Sequence, residues 1–298
     1  MKKLSLAVFA VLLLGLPTNA RKLAEHVFII APDGWGAYSL EKANMPNVKA
    51  QMERGAWTDA KRSVYPSSSA PNWASMFMGA GTELHCYTQW GSRKPEFQAR
   101  TVGRNGMFPT IFQIARDKYP DAEIGCIYDW IGIKYLVDTL SLSYHEQTPD
   151  FEKYPGEICK MAAKYIKEKK PLLAAFCFDE PDHTGHAVGH NTPGYYSTLA
   201  RIDSYIGRII DAIKEAGIYD KSVIIITSDH GGIGTNHGGR TMQEMETPFV
   251  IAGKGIKKMG KFNESMMQYD VAATVAAILD LKQPQVWTGR PMKQVFKR

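Results

Sequence analysis

The sequence predicts an α/β fold, a mostly parallel central sheet flanked by helices, and three observations carry that expectation. Short apolar runs alternate with longer amphipathic stretches along the chain, the layout of repeated β and α elements. HVFIIA, PLLAAFCF and SVIIITS are strand-length and almost wholly apolar, as buried strands are. Each of the three leads into Asp or His, and sheets of this kind hold their ligands at the carboxyl ends of the strands.

In chain order, residues 26–31 (HVFIIA) form a strand ending at Pro32-Asp33-Gly34, and 46–56 (PNVKAQMERGA) a helix. Residues 58–66 (TDAKRSVYP) read as a strand, 70–79 (APNWASMFMG) as a helix start and 109–119 (PTIFQIARDKY) as a further helix. A strand at 122–130 (AEIGCIYDW) precedes a helix at 160–170 and the strand PLLAAFCF at 171–178. The stretch 193–216 is a long helix with Leu199, Ile202, Ile206, Ile209, Ile210 and Ile213 along one face. Strands at 222–228 and 247–253 and a closing helix at 269–281 complete the series. No repeat, low-complexity segment or linker interrupts it, so residues 21–298 are expected to form a single domain.

The first twenty residues stand apart. Lys2 and Lys3 precede the apolar run LSLAVFAVLLLGLP, and small residues lead to Ala20, the layout of a cleaved signal peptide. The run is too short to span a bilayer, so an exported protein, periplasmic or secreted and free of the membrane after cleavage, is expected. Losing two lysines takes the formal charge from +6 to +4, which suits an anionic substrate. The basic residues are scattered, without the dense stripe that a nucleic-acid polymer would need. Cys86, Cys126, Cys159 and Cys177 are widely spaced and read as buried thiols.

One short stretch, FDEPDHTGHAVGH at 178–190, holds three carboxylates and three of the chain's eight histidines directly after a strand. Asp33 closes an earlier strand, Asp229-His230 a later one, and His237 follows the glycine-rich turn GGIGTN. Any one of these residues is explained as a cap or turn. Asp33, Asp182, His186, Asp229, His230 and His237 together form a mixed oxygen and nitrogen donor set suited to zinc.

The stretch YPSSSAPNW at 65–73 carries a strand into a helix through a serine cluster, with Pro71 near the first helical position. Ser69 there is either an N-cap or an oxygen facing the donor set, where helix N–H groups and a metal would stabilise its alkoxide. Asn72 is expected to aim an amide donor at a phosphoryl oxygen.

Together these motifs resemble the alkaline phosphatase superfamily, closest to its type I phosphodiesterase and nucleotide pyrophosphatase family. That family places a threonine or serine before xPN at a helix start, then EPDxxGHxxG, SDHG and a later His-Gly. This chain has Ser69-Ala70-Pro71-Asn72, EPDHTGHAVG at 180–189, SDHG at 228–231 and His237-Gly238, and its tail at 268–291 resembles the superfamily's closing helix and GR turn. The resemblance implies an alkaline-phosphatase-like sandwich and two divalent metal ions of the zinc type. Asp33, Asp229, His230 and Ser69 would hold one ion, and Asp182, His186 and His237 the other. Ser69 would attack phosphorus between the two and form a phosphoseryl intermediate, a two-metal in-line displacement. Asp182 and His186 stand four residues apart, which suits one helical turn. Asp179, Glu180, His183 and His190 are left to supporting or surface roles, with His190 foremost.

The family usually has histidine after PN, and this chain has Trp73, which either packs inward or flanks the substrate. The expected substrate is a small anionic phosphodiester or nucleotide-like anhydride, with Tyr87, Trp90 and Phe97 either packed into the core or forming aromatic surface for a planar group. Arg93, Lys94, Arg100 and Arg104 are either cations for the substrate or a solvated loop. The rival readings are a phosphomonoesterase, a sulfatase in which Trp73 stands where the sulfatase pattern has arginine, and an inactive metal-binding module.

Overall fold

The computed structural model describes residues 22–297; the expected signal segment at 1–20 lies outside them. The strands are β1 (His26–Asp33), β2 (Ala56–Arg62), β3 (Ile124–Tyr128), β4 (Tyr144–Gln147), β5 (Leu173–Pro181), β6 (Ser222–Thr227), β7 (Glu246–Gly253) and two-residue β8 (Gly260–Lys261) and β9 (Met266–Met267). The helices are α1 (Pro46–Arg54), α2 (Ser69–Met78), α3 (Thr82–His85), α4 (Ile111–Lys118), α5 (Glu157–Lys169), α6 (Asp182–Val188), α7 (Pro193–Glu215), α8 (Met242–Met245) and α9 (Asp270–Ile278).

Among the described residues, the nine strands join one sheet in the order β4-β3-β5-β1-β6-β7-β2-β8, with β9 against β2. β4, β3, β5, β1 and β6 run parallel, β7 is antiparallel to both β6 and β2, and β2 therefore points the same way as β1. The mostly parallel sheet expected from the sequence is present, and β1 lies between β5 and β6.

Alternation along each central strand sends side chains to two separate cores. Val27, Ile29, Ala31, Leu173, Ala175, Val223 and Ile225 face one core, with Trp73, Phe77, Ile111, Phe112 and Val271 from α2, α4 and α9. Phe28, Ile30, Ala174, Phe176, Ile224 and Ile226 face the other, with Val48, Ile158, Ile166 and the predicted face of α7. Ile206 and Ile209 on that face are fully buried, each burial contributing about 1.5–3 kcal/mol. All four cysteines are buried. No helix among the described residues is long and apolar enough to cross a membrane.

Several boundaries shift from the sequence expectation, and two of the shifts shape the site. β2 stops at Arg62 because the Val64 amide is taken by the Asn72 side chain, 2.7 Å away, instead of a ladder partner. α2 begins at Ser69, with Ser68 in extended conformation at the cap position. Pro71 still fits, since the first turn of a helix needs no donor from it.

Candidate active site

Because β1, β2, β5 and β6 point the same way, their carboxyl ends deliver every expected site residue to one edge of the sheet. Asp33 ends β1 and, after a register shift at Pro32, pairs with Pro181 at the end of β5, so Asp182, the next residue, starts α6 beside it. Ser228, Asp229 and His230 follow β6, and Ser69 opens α2 after β2. At the opposite edge a cavity of about 1070 Å³ is ringed by Lys22, Lys169, Lys170, Lys221 and Lys254 and contains none of these residues.

The first half of the site is fully enclosed. His230 Nε2 lies 3.3 Å from Asp33 Oδ1, 3.3 Å from Asp229 Oδ2 and 3.2 Å from Ser69 Oγ. Its Nδ1 donates to the Gly231 carbonyl at 2.8 Å, which leaves the Nε2 lone pair turned toward the site. Burial, with the His237 charge adding to it, holds His230 well below its ordinary pKa. Burial and the neighbouring Asp229 and Asp182 charges raise Asp33 well above the carboxylate range. Burial raises Asp229 to about 7, against the hydrogen bond it accepts from the Gly34 amide.

The second half is more open. Asp182 Oδ2 is 3.1 Å from His186 Nε2 and 3.5 Å from His237 Nε2, while the His186 side chain keeps 45% of its surface exposed. Both imidazoles again spend Nδ1 on backbone carbonyls, His186 on Thr235 and His237 on Ser67. Burial pushes Asp182 up, but the hydrogen bonds from His186 and His237 outweigh it and hold the carboxyl well below its usual range. The Asp182 hydrogen bond raises His186 to about 9. His237 is raised too: burial lowers it, and Asp182 more than offsets this.

These residues fit divalent cations. Asp33 Oδ1, Asp182 Oδ1 and Asp229 Oδ2 are buried without a hydrogen-bond partner, a costly state for carboxylate oxygens with no cation. Ligand atoms of Asp182, His186 and His237 lie within 4.8 Å of one another, as do those of Asp33, Asp182 and His230. Three imidazoles present Nε2 with Nδ1 fixed by a carbonyl, the arrangement that orients a metal-binding histidine. One detail departs from the expected partition: Asp182 is within reach of both sets, because the β1–β5 register places it against Asp33.

Around Ser69 the structure decides between two open readings and corrects one expectation. Ser69 is not the cap residue; Ser68 holds that position, which leaves the Ser69 hydroxyl facing His230. Asn72 does not offer its amide outward. Its Oδ1 accepts from Val64 N, and its Nδ2 donates to the carbonyls of Val64, Pro66 and Ser68 at 3.3, 3.0 and 3.0 Å. Asn72 is thus consumed in shaping the serine loop. Of the two readings open for Trp73, packing inward holds. It is fully buried, stacks on Phe77 and donates Nε1–H to Asp33 Oδ2 at 3.1 Å.

The remaining candidates are distributed. Asp179 is driven to about 8, by burial first and then by Asp182. Glu180 pairs with Arg201 at 3.3 Å and His183 with Glu152 at 3.5 Å, away from the donor sets. Arg104 pairs with Asp117, and Arg93 lies over the Tyr135 ring. Tyr87 is buried, whereas Trp90 and Phe97 are exposed; the Trp90 carbonyl accepts from Ala70 N, and its ring stacks against Trp130.

Sequence reasoning missed Lys61 and Gln268, both fully buried behind the site. Lys61 Nζ donates to the Ser228 carbonyl and to Gln268 Oε1, and Gln268 Nε2 donates to the carbonyls of Asn72 and Ser228. The pair ties α2 to the turn carrying Asp229. No local pattern separates Lys61 from a surface lysine, since its partner is 207 residues away.

The chain is similar to known proteins in both sequence and fold. It is 24% identical over 225 residues to bis(5′-adenosyl)-triphosphatase enpp4 of Xenopus laevis, covering 72% of this chain and 48% of that protein. The chain thus spans about half the length of the enpp4 relatives it matches. Among solved structures, a 2-O GAG sulfatase superposes with a TM-score of 0.75 at 13% identity, over 91% of this chain and 74% of that one. Murine ectonucleotide pyrophosphatase/phosphodiesterase 5, solved with AMP, gives a TM-score of 0.68 at 15% identity, over 87% of this chain and 96% of that one. These likenesses establish the alkaline-phosphatase-like α/β sandwich. Residues 27–254 match the family model for type I phosphodiesterase/nucleotide pyrophosphatase. With most of its length so matched, the chain belongs to the type I phosphodiesterase/nucleotide pyrophosphatase family.

Proposed function

We propose that this chain is an exported phosphoester hydrolase acting on phosphodiesters or nucleotide-like phosphoanhydrides, with Ser69 as nucleophile and two divalent cations of the zinc type. The observation that carries the reading is the Ser69 hydroxyl, 3.2 Å from His230 Nε2, a nitrogen that also lies 3.3 Å from each of the partnerless oxygens Asp33 Oδ1 and Asp229 Oδ2. Asp33, Asp229 and His230 would hold one cation beside Ser69, and Asp182, His186 and His237 the other. Such a pair supplies the positive charge that stabilises a serine alkoxide and the oxygens of an in-line displacement.

The chain's own groups supply the rest. Asn72 fixes the loop that aims Ser69, Trp73 orients Asp33, and the carbonyls of Gly231, Thr235 and Ser67 hold the three imidazoles with Nε2 inward. Ser69 Oγ gives up its proton to water and attacks phosphorus, the P–O bond to the leaving group breaks, and the departing oxygen takes a proton from water. Water then cleaves the phosphoseryl ester, restoring the hydroxyl and releasing the phosphate-bearing product. A nucleotide-like substrate is supported by the name of the enpp4 relatives and by the AMP bound to the murine protein.

The test compares kcat/KM for bis-p-nitrophenyl phosphate, the p-nitrophenyl ester of thymidine 5′-monophosphate, p-nitrophenyl phosphate and p-nitrophenyl sulfate on zinc-loaded protein. The diesters should lead. If the monoester wins by about a hundredfold, roughly 2.7 kcal/mol of transition-state preference, the diesterase reading fails. A win for the sulfate would move the chain to sulfatase chemistry.

A further inference from the structure

His190 follows the second ligand set and is used by none of the chemistry above. It is 3% exposed, and both of its ring nitrogens are buried without a hydrogen-bond partner. Asp182 Oδ1 shares that condition, and His190 Nε2 lies 3.5 Å from it, a few tenths of an ångström beyond an ordinary N–H···O contact. Two unsatisfied buried groups facing each other at that distance satisfy one another at small cost.

The surroundings are built to admit the ring. A Cβ at Gly185 would come within 2.4 Å of the His190 ring, and one at Gly232 within 2.3 Å of its Nε2. Gly185 belongs to the α6 turn between Asp182 and His186, and Gly232 to the turn that leads from His230 toward His237. The imidazole therefore lies between the two segments that carry the ligands. The His190 amide also donates to the Gly234 carbonyl at 2.6 Å, tying the end of α6 to the glycine-rich turn before His237.

We propose that His190 is a positioning residue for the second cation: its Nε2–H holds Asp182 Oδ1, so that Oδ2 is presented to His186 and His237. Asp182 Oδ2 is the oxygen those two histidines face, and a partner on Oδ1 adds a second point that fixes the carboxylate about χ2. The inference rests on Asp182 being a cation ligand, as proposed above.

Zinc binding tests it directly. The measurement is the equilibrium affinity of each zinc by chelator competition, together with zinc equivalents after dialysis, for wild type, His190→Phe and His190→Gln. Phenylalanine fills the space without a donor; glutamine restores an N–H near the Nε2 position. His190→Phe should bind the weaker zinc 10–100-fold less tightly and drop toward one equivalent, the size of effect that outer partners of metal ligands have. His190→Gln should recover to within about threefold of wild type, which a packing role alone would not produce. If His190→Phe does not fold, His190→Asn takes its place, since its shorter amide does not reach Oδ1, and the same loss is expected. Two zinc ions at wild-type affinity in His190→Phe or His190→Asn would overturn the proposal, as would a His190→Gln no better than Phe. Asp182→Asn separates the two levels: wild-type zinc binding in that variant would remove the ligand reading itself, whereas a loss there with none at His190 would remove only this inference.

Discussion

The two halves of the site are made of the same residue types and held by different means. Asp33, Asp229 and His230 stand at the ends of adjacent central strands, with His230 and Asp229 wholly buried and Trp73 and Gly34 donating to their carboxylates. Asp182, His186 and His237 come from a seven-residue helix and a turn, and His186 is nearly half exposed. A parallel sheet fixes the first set through backbone register and packing on both faces. The second set depends on hydrogen bonds from its own neighbours. The difference teaches that the sheet half is preorganised where nucleophilic attack is proposed, and that the exposed half is where a cation and water can exchange.

The largest expected effect lies on the sheet half. Ser69→Ala should lower kcat with bis-p-nitrophenyl phosphate by at least about 10³-fold, as loss of a covalent nucleophile does. Both zinc equivalents should remain, because Asp33, Asp229 and His230 keep their supports. Retained turnover would reduce Ser69 to a structural serine.

Removing ligands should separate the halves. His186→Ala should weaken one zinc by more than about 100-fold, exceeding the effect of an outer-partner loss, and leave the other in place. Graded chelation of wild type should likewise release zinc in two steps, the exposed half first. Simultaneous release of both ions would show that Asp182, within reach of both sets, couples them into one unit.

Trp73→Phe probes how the sheet half is oriented. Phenylalanine keeps the stack on Phe77 and removes only the donor to Asp33. A 10–100-fold loss of zinc affinity in the sheet half, measured by chelator competition, is expected. An unchanged affinity would mean that the strand alone orients Asp33.

The smallest effect is on stability and concerns the brace behind α2. His85 Nδ1 accepts from the Tyr87 amide, and its Nε2 meets Ser75 Oγ, which itself donates to the Pro71 carbonyl. Burial lowers His85 to about 3, below the 6.5 of an unfolded histidine. The unfolded chain therefore binds the proton first as pH falls: the contribution is complete above pH 6.5 and is lost between there and pH 3. By pH 5 this amounts to about 2 kcal/mol. Urea unfolding of wild type and His85→Gln at pH 7.5 and 5.0 should show that much less acid sensitivity in the variant, and equal sensitivity would remove His85 from the account.

What the sequence disclosed follows from the same contrast. Buried parallel strands write themselves as apolar runs, so β1, β5 and β6 and the ligands at their ends are legible in linear order. α7 is legible because one face repeats Leu and Ile at helical spacing. β4, with the sequence YHEQ at the sheet edge, has no apolar run to mark it, and β8 and β9 are two residues each. Orientation was harder to read than position. Asn72 turns its amide back onto carbonyls of its own loop, a turn shaped by the packed structure, and Trp73 turns inward to Asp33, a partner on β1. Lys61 and Gln268 show the limit most clearly, as two polar residues made into core by each other.

The central claim is that Ser69 forms a covalent bond to phosphorus, and the stereochemical course of hydrolysis tests it most directly. A single diastereomer of the p-nitrophenyl ester of thymidine 5′-phosphorothioate, hydrolysed in ¹⁸O water by the zinc-loaded protein, yields a product whose configuration at phosphorus can be assigned. Two successive in-line displacements, first by Ser69 and then by water, predict overall retention. Inversion would mean that water attacks phosphorus directly, and would contradict the account.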